Sequence, residues 1–172
     1  LCDVFDVSVD HRTHGLSLVP LLNGRASAIR EHVLTGVWGR TVQLITDDHK
    51  YVRAPRNGNR PLSMWSNRWS TMPIHAMPKV RLPRPDRRAT LDYMPGSDVP
   101  VIRQPFGTGD AVPFWAQTNT GELRDMVFDV VADPAEEHDL VGTSIEAKLR
   151  DTLTRALRDV SAPEDQFARL GL

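Results

Sequence analysis

Ten prolines fall in the middle of the chain, at Pro55, Pro61, Pro73, Pro78, Pro83, Pro85, Pro95, Pro100, Pro105 and Pro113. Proline fixes φ and has no N–H to donate, so regular elements there must be short. Residues 54–124 therefore read as a long irregular insertion with short elements at most. The stretch does not have the composition of a disordered tail. Met64, Trp65, Trp69, Met72, Ile74, Tyr93, Phe106, Phe114 and Trp115 are large apolar groups that require burial. An ordered, packed insertion is expected, and loops this long inside a domain are usually functional if they are ordered.

The regular elements lie on either side of it. His32-Val33-Leu34-Thr35-Gly36-Val37-Trp38 reads as a strand, and Thr41-Val42-Gln43-Leu44-Ile45-Thr46 alternates with period two as a second. Asp47-Asp48-His49 has turn chemistry, because Asp side chains bond the backbone ahead of them. Lys50-Tyr51-Val52-Arg53 returns as a third strand, and the short connections favour antiparallel hairpins. Beyond the insertion, Met126-Val127-Phe128-Asp129-Val130-Val131 reads as a fourth strand, ended by Ala132-Asp133-Pro134. Thr143 and Glu146 have the spacing of a capping box. Ile145, Leu149, Leu153, Ala156, Leu157 and Val160 share one face of the helix that follows, and Ala162-Pro163 stops it. The expected fold class is α+β: a small antiparallel sheet of about four strands, a packed C-terminal helix and the irregular insertion.

Ahead of the first strand, residues 1–9 alternate apolar and acidic groups, as a helix end or a short strand would. Residues 10–15 form a polar loop. Leu16-Ser17-Leu18-Val19-Pro20-Leu21-Leu22 is a compact apolar turn, with Pro20 tolerated in the first turn of a short helix and Asn23-Gly24 as the stop. The chain opens on Leu1-Cys2-Asp3 without a methionine and reads as a piece of a longer protein. Cys2 is the single cysteine, so no internal disulfide forms and no compartment is indicated. With no cationic neighbour to activate it, Cys2 is expected as a buried structural thiol.

Three passages carry a resemblance. The first is Asp3-Val4-Phe5-Asp6-Val7 followed by His14-Gly15-Leu16-Ser17-Leu18-Val19-Pro20-Leu21-Leu22. The second runs from Arg30-Glu31-His32-Val33-Leu34-Thr35 to Lys50-Tyr51-Val52-Arg53. The third is Val127-Phe128-Asp129-Val130-Val131-Ala132-Asp133-Pro134-Ala135-Glu136-Glu137-His138-Asp139-Leu140. In this order they resemble the end of the sulfatase family, within the alkaline phosphatase superfamily. The matching family patterns are D-G-x-S-L-x-P-L-L after a helix, a hairpin with K-Y-I in its second half, and L-Y-D-L-x-x-D-P-x-E-x-x-N-L before the terminal helix. Asp139 stands where asparagine is common, and the insertion is outside the match.

The resemblance implies that residues 1–172 are the C-terminal subdomain of a sulfatase-like hydrolase whose N-terminal catalytic domain is absent from this sequence. It implies a parent protein that hydrolyses a sulfate ester, with formylglycine made from Cys/Ser-x-Pro-x-Arg as nucleophile. A calcium-type divalent cation would be held by Asp, Asp and Asp/Asn/His positions, hard oxygen ligands that suit it. Neither motif occurs here, since Cys2 lacks the proline and arginine that should follow it. No catalytic residue, metal ligand or cofactor is assigned to this segment, which is expected to be inactive alone. The implied partners are the catalytic domain and, for the parent, a sulfated small molecule or glycan. The family's small subdomain borders the active-site mouth, so Trp38 and His49, near strand ends, are the candidates for a substrate rim. Their alternative roles are ordinary packing and turn residues.

Other groups read more simply. Asp47-Asp48 is a hairpin turn where the family has no ligand. His11 and His14 have zinc-like spacing but no evident third ligand, and His138 lies in an acidic surface turn. Lys79, Arg81, Arg84, Arg87 and Arg88, interleaved with Trp65 and Trp69, form a basic cluster. It reads as a solvated loop, an anion or nucleic-acid surface, or the rim of a pocket for a sulfated group. A formal net charge of −1 gives no general attraction for nucleic acid or a membrane surface. No apolar run approaches the roughly 20 residues that span a bilayer. The alternatives to a sulfatase are a phosphonate or phosphodiester hydrolase of the same superfamily, and a non-enzymatic anion-binding module built on the basic cluster.

Overall fold

The structure, a computed structural model, describes residues 1–9, 12–67, 88–107, 110 and 123–172. Its elements run α1 (Val19–Leu22), β1 (Val33–Gly36), β2 (Val42–Ile45), β3 (His49–Arg53), β4 (Leu62–Ser66), β5 (Thr90–Tyr93), β6 (Pro100–Phe106), β7 (Met126–Asp129), α2 (Ser144–Asp159) and α3 (Glu164–Leu170). The chain is α+β. A four-stranded antiparallel sheet has the order β1-β2-β3-β7, and a three-stranded one has the order β4-β6-β5.

The register of the larger sheet sets Leu34, Leu44, Tyr51 and Val127 in one row across its four strands. Directly opposed residues share a face, and this row meets Leu149, Leu153, Ala156 and Leu157 of α2 with Phe167 and Leu170 of α3. Leu44, Tyr51, Val127, Leu153 and Leu170 are fully buried. The helical stripe read from the sequence is thus the one that packs. Tyr51 carries the only hydroxyl in that row, and burial raises its pKa above the usual phenol value. β1 stops at Gly36, whose φ is +153°, and a Cβ there would stand 2.7 Å from the Thr41 carbonyl oxygen.

The strands are shorter than the apolar runs. β7 ends at Asp129 because Asp129 Oδ1 accepts the N–H groups of Val131 and Ala132, at 3.0 and 2.8 Å, and turns the chain. The following acidic turn is organised the same way. His138 N–H donates to Asp133 Oδ2 at 2.7 Å, and the N–H groups of Val127 and Val141 donate to Asp139 Oδ1 at 2.9 and 3.1 Å. Around α2 the expected capping box does not form, since Thr143 is the N-cap but makes no side-chain cap bond and Glu146 reaches one residue past it. Glu146 Oε2 accepts from Gly142 N–H at 2.7 Å, while the Thr143 hydroxyl donates to the Leu140 carbonyl instead of capping the helix.

Two further expectations are corrected, and one helix is added to those expected. Residues 54–124 are not irregular throughout, since β4, β5 and β6 arise within them. The prolines sit where a ladder does not need their nitrogen. Pro100 opens β6, and Pro105 pairs only with Ser63 of β4, past Thr90, the first residue of β5. The helix does stop before Ala162-Pro163, at Asp159, but a further helix, α3, follows it. Pro163 is the N-cap residue of α3, which carries Glu164 and Asp165 in its first turn and ends on Gly171 in the left-handed conformation. Cys2 is exposed, not buried. Residues 1–7 close a turn on their own backbone, with Val4 and Phe5 bonded to the Leu1 carbonyl and Val7 to that of Cys2, and this turn stays at the surface.

The base of the insertion is closed by one carboxylate. Asp125 accepts from the Ala54 N–H at 2.8 Å, from Arg53 Nη1 at 2.7 Å and from Arg56 Nη2 at 2.5 Å. Arg53 also donates to the carbonyls of Leu170 and Gly171, which ties this junction to the end of α3. Among the described residues, no helix is long and apolar enough to cross a membrane.

Candidate functional site

A cleft of about 340 Å³ opens where the end of β1, the start of β2, β4 and α3 converge. Its walls include Leu34, Val42, Leu62, Trp38, Trp65 and Met94, and its polar groups are Ser63, Asp165, Gln166 and Arg169. The size is in the range of small-molecule sites, and a mostly apolar wall with a few fixed polar groups is their usual make-up.

One side of the cleft is held by a carboxylate network. Asp165 Oδ2 accepts from the Ser63 hydroxyl at 2.9 Å and from Arg103 Nη2 at 2.6 Å. Arg103 Nε donates to Ser63 Oγ at 3.2 Å, and its guanidinium lies over the Trp65 ring, 5.4 Å from the centroid. This joins β4, β6 and α3 and fixes the Trp65 face. Trp38 is fixed from the other sheet. Its indole N–H donates to the Ser63 carbonyl at 2.9 Å, and its ring meets Phe106 edge to face at 5.3 Å.

Arg169 is the buried cation of the cleft, 2% exposed. Nε donates to Gln166 Oε1 at 2.8 Å, and Nη1 donates to the Arg40 carbonyl and Asn59 Oδ1, both at 2.9 Å. Every one of these acceptors is neutral. Burial accordingly lowers its pKa to about 10. A buried charge without an opposite charge costs several kcal/mol unless something else compensates it.

The two rim candidates do not come together. Trp38 follows β1 and lines the cleft. His49 opens β3 beside the β2–β3 turn, at the opposite end of the four-stranded sheet, since Ile45 pairs with Lys50 while Val42 pairs with Arg53. His49 Nδ1 lies 2.9 Å from Asp48 Oδ1, and that carboxylate also accepts from the Thr46 hydroxyl at 2.8 Å. The His49 contact, followed by the Thr46 bond, lowers the Asp48 pKa. Asp47-Asp48 is indeed a turn, closed by the Thr46 N–H on the His49 carbonyl at 2.9 Å.

The remaining groups fall elsewhere. His14 lies with Arg12, Arg30 and His32 along a second cleft of about 910 Å³, where Arg12 donates to the carbonyls of Pro95 and Val160. His11, its partner in the zinc-like spacing, lies outside the described residues, as do Trp69, Lys79, Arg81, Arg84 and Arg87 of the basic cluster. Asp133, Glu137 and His138 bring three potential ligand atoms within 4.8 Å of one another. The Asp133 carboxylate is first held by the His138 N–H, which lowers its pKa, and the set lacks the six to eight oxygens calcium takes. Sequence reading missed Asp165 and Arg169. Their signal was Pro163 followed by two acids, the start of a new helix, with Phe167 and Leu170 three apart on its buried side. No protein-family model matches this chain, and compared with curated proteins it matches none.

Proposed function

We propose that this chain is the C-terminal portion of a sulfatase, a scaffold layer that leans on a larger catalytic domain and borders its substrate entrance. The observation that carries the reading is a set of exposed large apolar side chains in residues 1–22. Leu1, Phe5, Val4, Val7, Leu18 and Leu22 are 94, 72, 62, 57, 57 and 81% exposed. Covering apolar surface is worth about 25 cal/mol per Å², so a segment that exposes many large apolar groups favours a covering partner. These residues include the passage that resembles the sulfatase D-G-x-S-L-x-P-L-L. A catalytic domain is the partner this reading assigns to them.

The acidic segment 127–140 supports the same reading. Its Asp129, Asp133 and Asp139 carboxylates accept backbone N–H groups and so shape the passage from β7 to α2. Residues used this way build a scaffold, and no described residue supplies the formylglycine or the calcium-type site of the parent. Those groups, and the sulfated small molecule or glycan they act on, belong to the proposed catalytic domain. Of the two rim candidates, Trp38 lines the cleft and His49 lies beside the β2–β3 turn.

The test is the coding sequence upstream of Leu1 together with turnover by the parent polypeptide. A Cys/Ser-x-Pro-x-Arg segment there, with calcium-dependent hydrolysis of 4-nitrophenyl sulfate that the 172-residue chain lacks, is the expected result. Turnover by this chain alone, or a parent without that segment, overturns it. Faster turnover of a phosphonate monoester or a phosphodiester selects the other hydrolase of the superfamily.

A further inference from the structure

The cleft between the two sheets and α3 contains a charge that no described residue neutralises. The donors of Arg169 can be assigned one by one. Nε–H goes to Gln166, and the Nη1 hydrogens go to the Arg40 carbonyl and Asn59. Among the described residues nothing accepts from Nη2. Asp165 stands four positions earlier on α3, the spacing at which Asp and Arg pair along a helix. Its carboxylate is instead committed to Ser63 and Arg103. The nearest acid along the helix thus serves another cation, and Arg169 is left with neutral oxygens and a free Nη2 group.

That group belongs to a residue lining the cleft, and its N–H donors can make charge-assisted hydrogen bonds to an oxygen of a carboxylate or sulfate group. The rest of the lining is apolar and aromatic, and two of its residues are the immobilised rings of Trp38 and Trp65. We propose that this cleft binds a small organic oxyanion, its charged group on Arg169 Nη2 and its flat apolar body between Trp38 and Trp65. An inorganic ion would leave the tryptophan walls without a contact, and a neutral ring would leave the Arg169 charge as it is. The proposal does not depend on the sulfatase reading, because the ligand is held by this chain alone and no turnover is involved.

The experiment titrates the 172-residue chain with benzoate, phenyl sulfate, benzamide and inorganic sulfate, followed by tryptophan fluorescence and calorimetry. Benzoate or phenyl sulfate should bind at least about tenfold more tightly than benzamide and than inorganic sulfate. Whichever of the two binds better identifies the oxyanion. Arg169→Gln should lose the preference for the charged ligand while the near-ultraviolet circular dichroism of the free protein is retained. Val37→Glu is the second variant, because Val37 is 53% exposed on the cleft lining and its replacement leaves the core untouched. It should weaken benzoate at least about tenfold by charge repulsion. Equal binding of benzoate and benzamide, no binding of either oxyanion at millimolar concentration, or unchanged benzoate affinity in Val37→Glu overturns the proposal.

Discussion

Two buried arginines, Arg53 at the base of the insertion and Arg169 beneath the cleft, solve the same electrostatic problem differently. Arg53 is 6% exposed and Arg169 2%. Arg53 has a carboxylate, Asp125, at 2.7 Å, and that acid is 8% exposed as well. Arg169 has a carbonyl and two side-chain amide oxygens. The first arrangement is complete within the chain, whereas the second satisfies hydrogen bonds and leaves charge over. A corner of the first kind serves stability, and one of the second kind is available to a ligand.

The largest test of this contrast removes the acid. Asp125→Ala strands Arg53 in a buried site and frees the Ala54 N–H, so stability from urea unfolding should fall by about 3–5 kcal/mol. A loss below about 1 kcal/mol would mean that Arg53 needs its carboxylate no more than Arg169 does, and the distinction would fail.

Arg169→Met should cost less, about 1–2 kcal/mol, because lost hydrogen bonds are partly offset by removing a buried charge. The pH dependence sharpens this. The folded-state value of about 10 lies below the ordinary guanidinium value, so above pH 10 the unfolded chain binds more protons at this group. Stability from Arg169 therefore rises with pH in that range. Tyr51 acts the other way: its raised value gives stability that is present below the ordinary phenol range and lost as pH rises through the folded value. Comparing wild type with Arg169→Met between pH 9 and 11 isolates the arginine, and the variant should lose more stability over that interval.

The smallest effect belongs to Asp139, whose pair with Arg124 is at the surface. Burial opposes ionisation of Asp139, but the N–H groups of Val127 and Val141 and the Arg124 guanidinium outweigh it and lower its pKa. Its contribution is present above the ordinary carboxylate range and lost as pH falls through the folded value. Asp139→Asn keeps an oxygen for both N–H groups, so unfolding at pH 7 should change by less than about 1 kcal/mol. The acid limb of its stability curve should be flatter than wild type.

The larger sheet and α2 were legible because their signals are local. Period two in residues 41–46 and the apolar stripe of residues 145–160 are written in consecutive positions, and both elements formed there. The smaller sheet was hidden because what a proline forbids depends on its position in a ladder. Pro100 at a strand start and Pro105 beyond the end of a neighbour obey the rule, yet a sequence does not show which strand ends where. The cleft was harder still. Trp38 was singled out, but its partners Ser63, Asp165 and Arg169 come from the insertion and from a helix more than a hundred residues away. The pairing of Asp165 with Arg103 rather than Arg169 depends on how two sheets meet, and no spacing along the chain encodes that.

The short helix α3 lies against both sheets, with Phe167 and Leu170 in the larger core and Asp165 bonded to β4 and β6. Neither sheet can open without disturbing it, so the pair should melt as one cooperative unit. Amide protons at the centre of β3 and of β6 should then exchange with deuterium through the same global event. A protein in which the proline-rich part exchanged far earlier would have its two halves only loosely coupled.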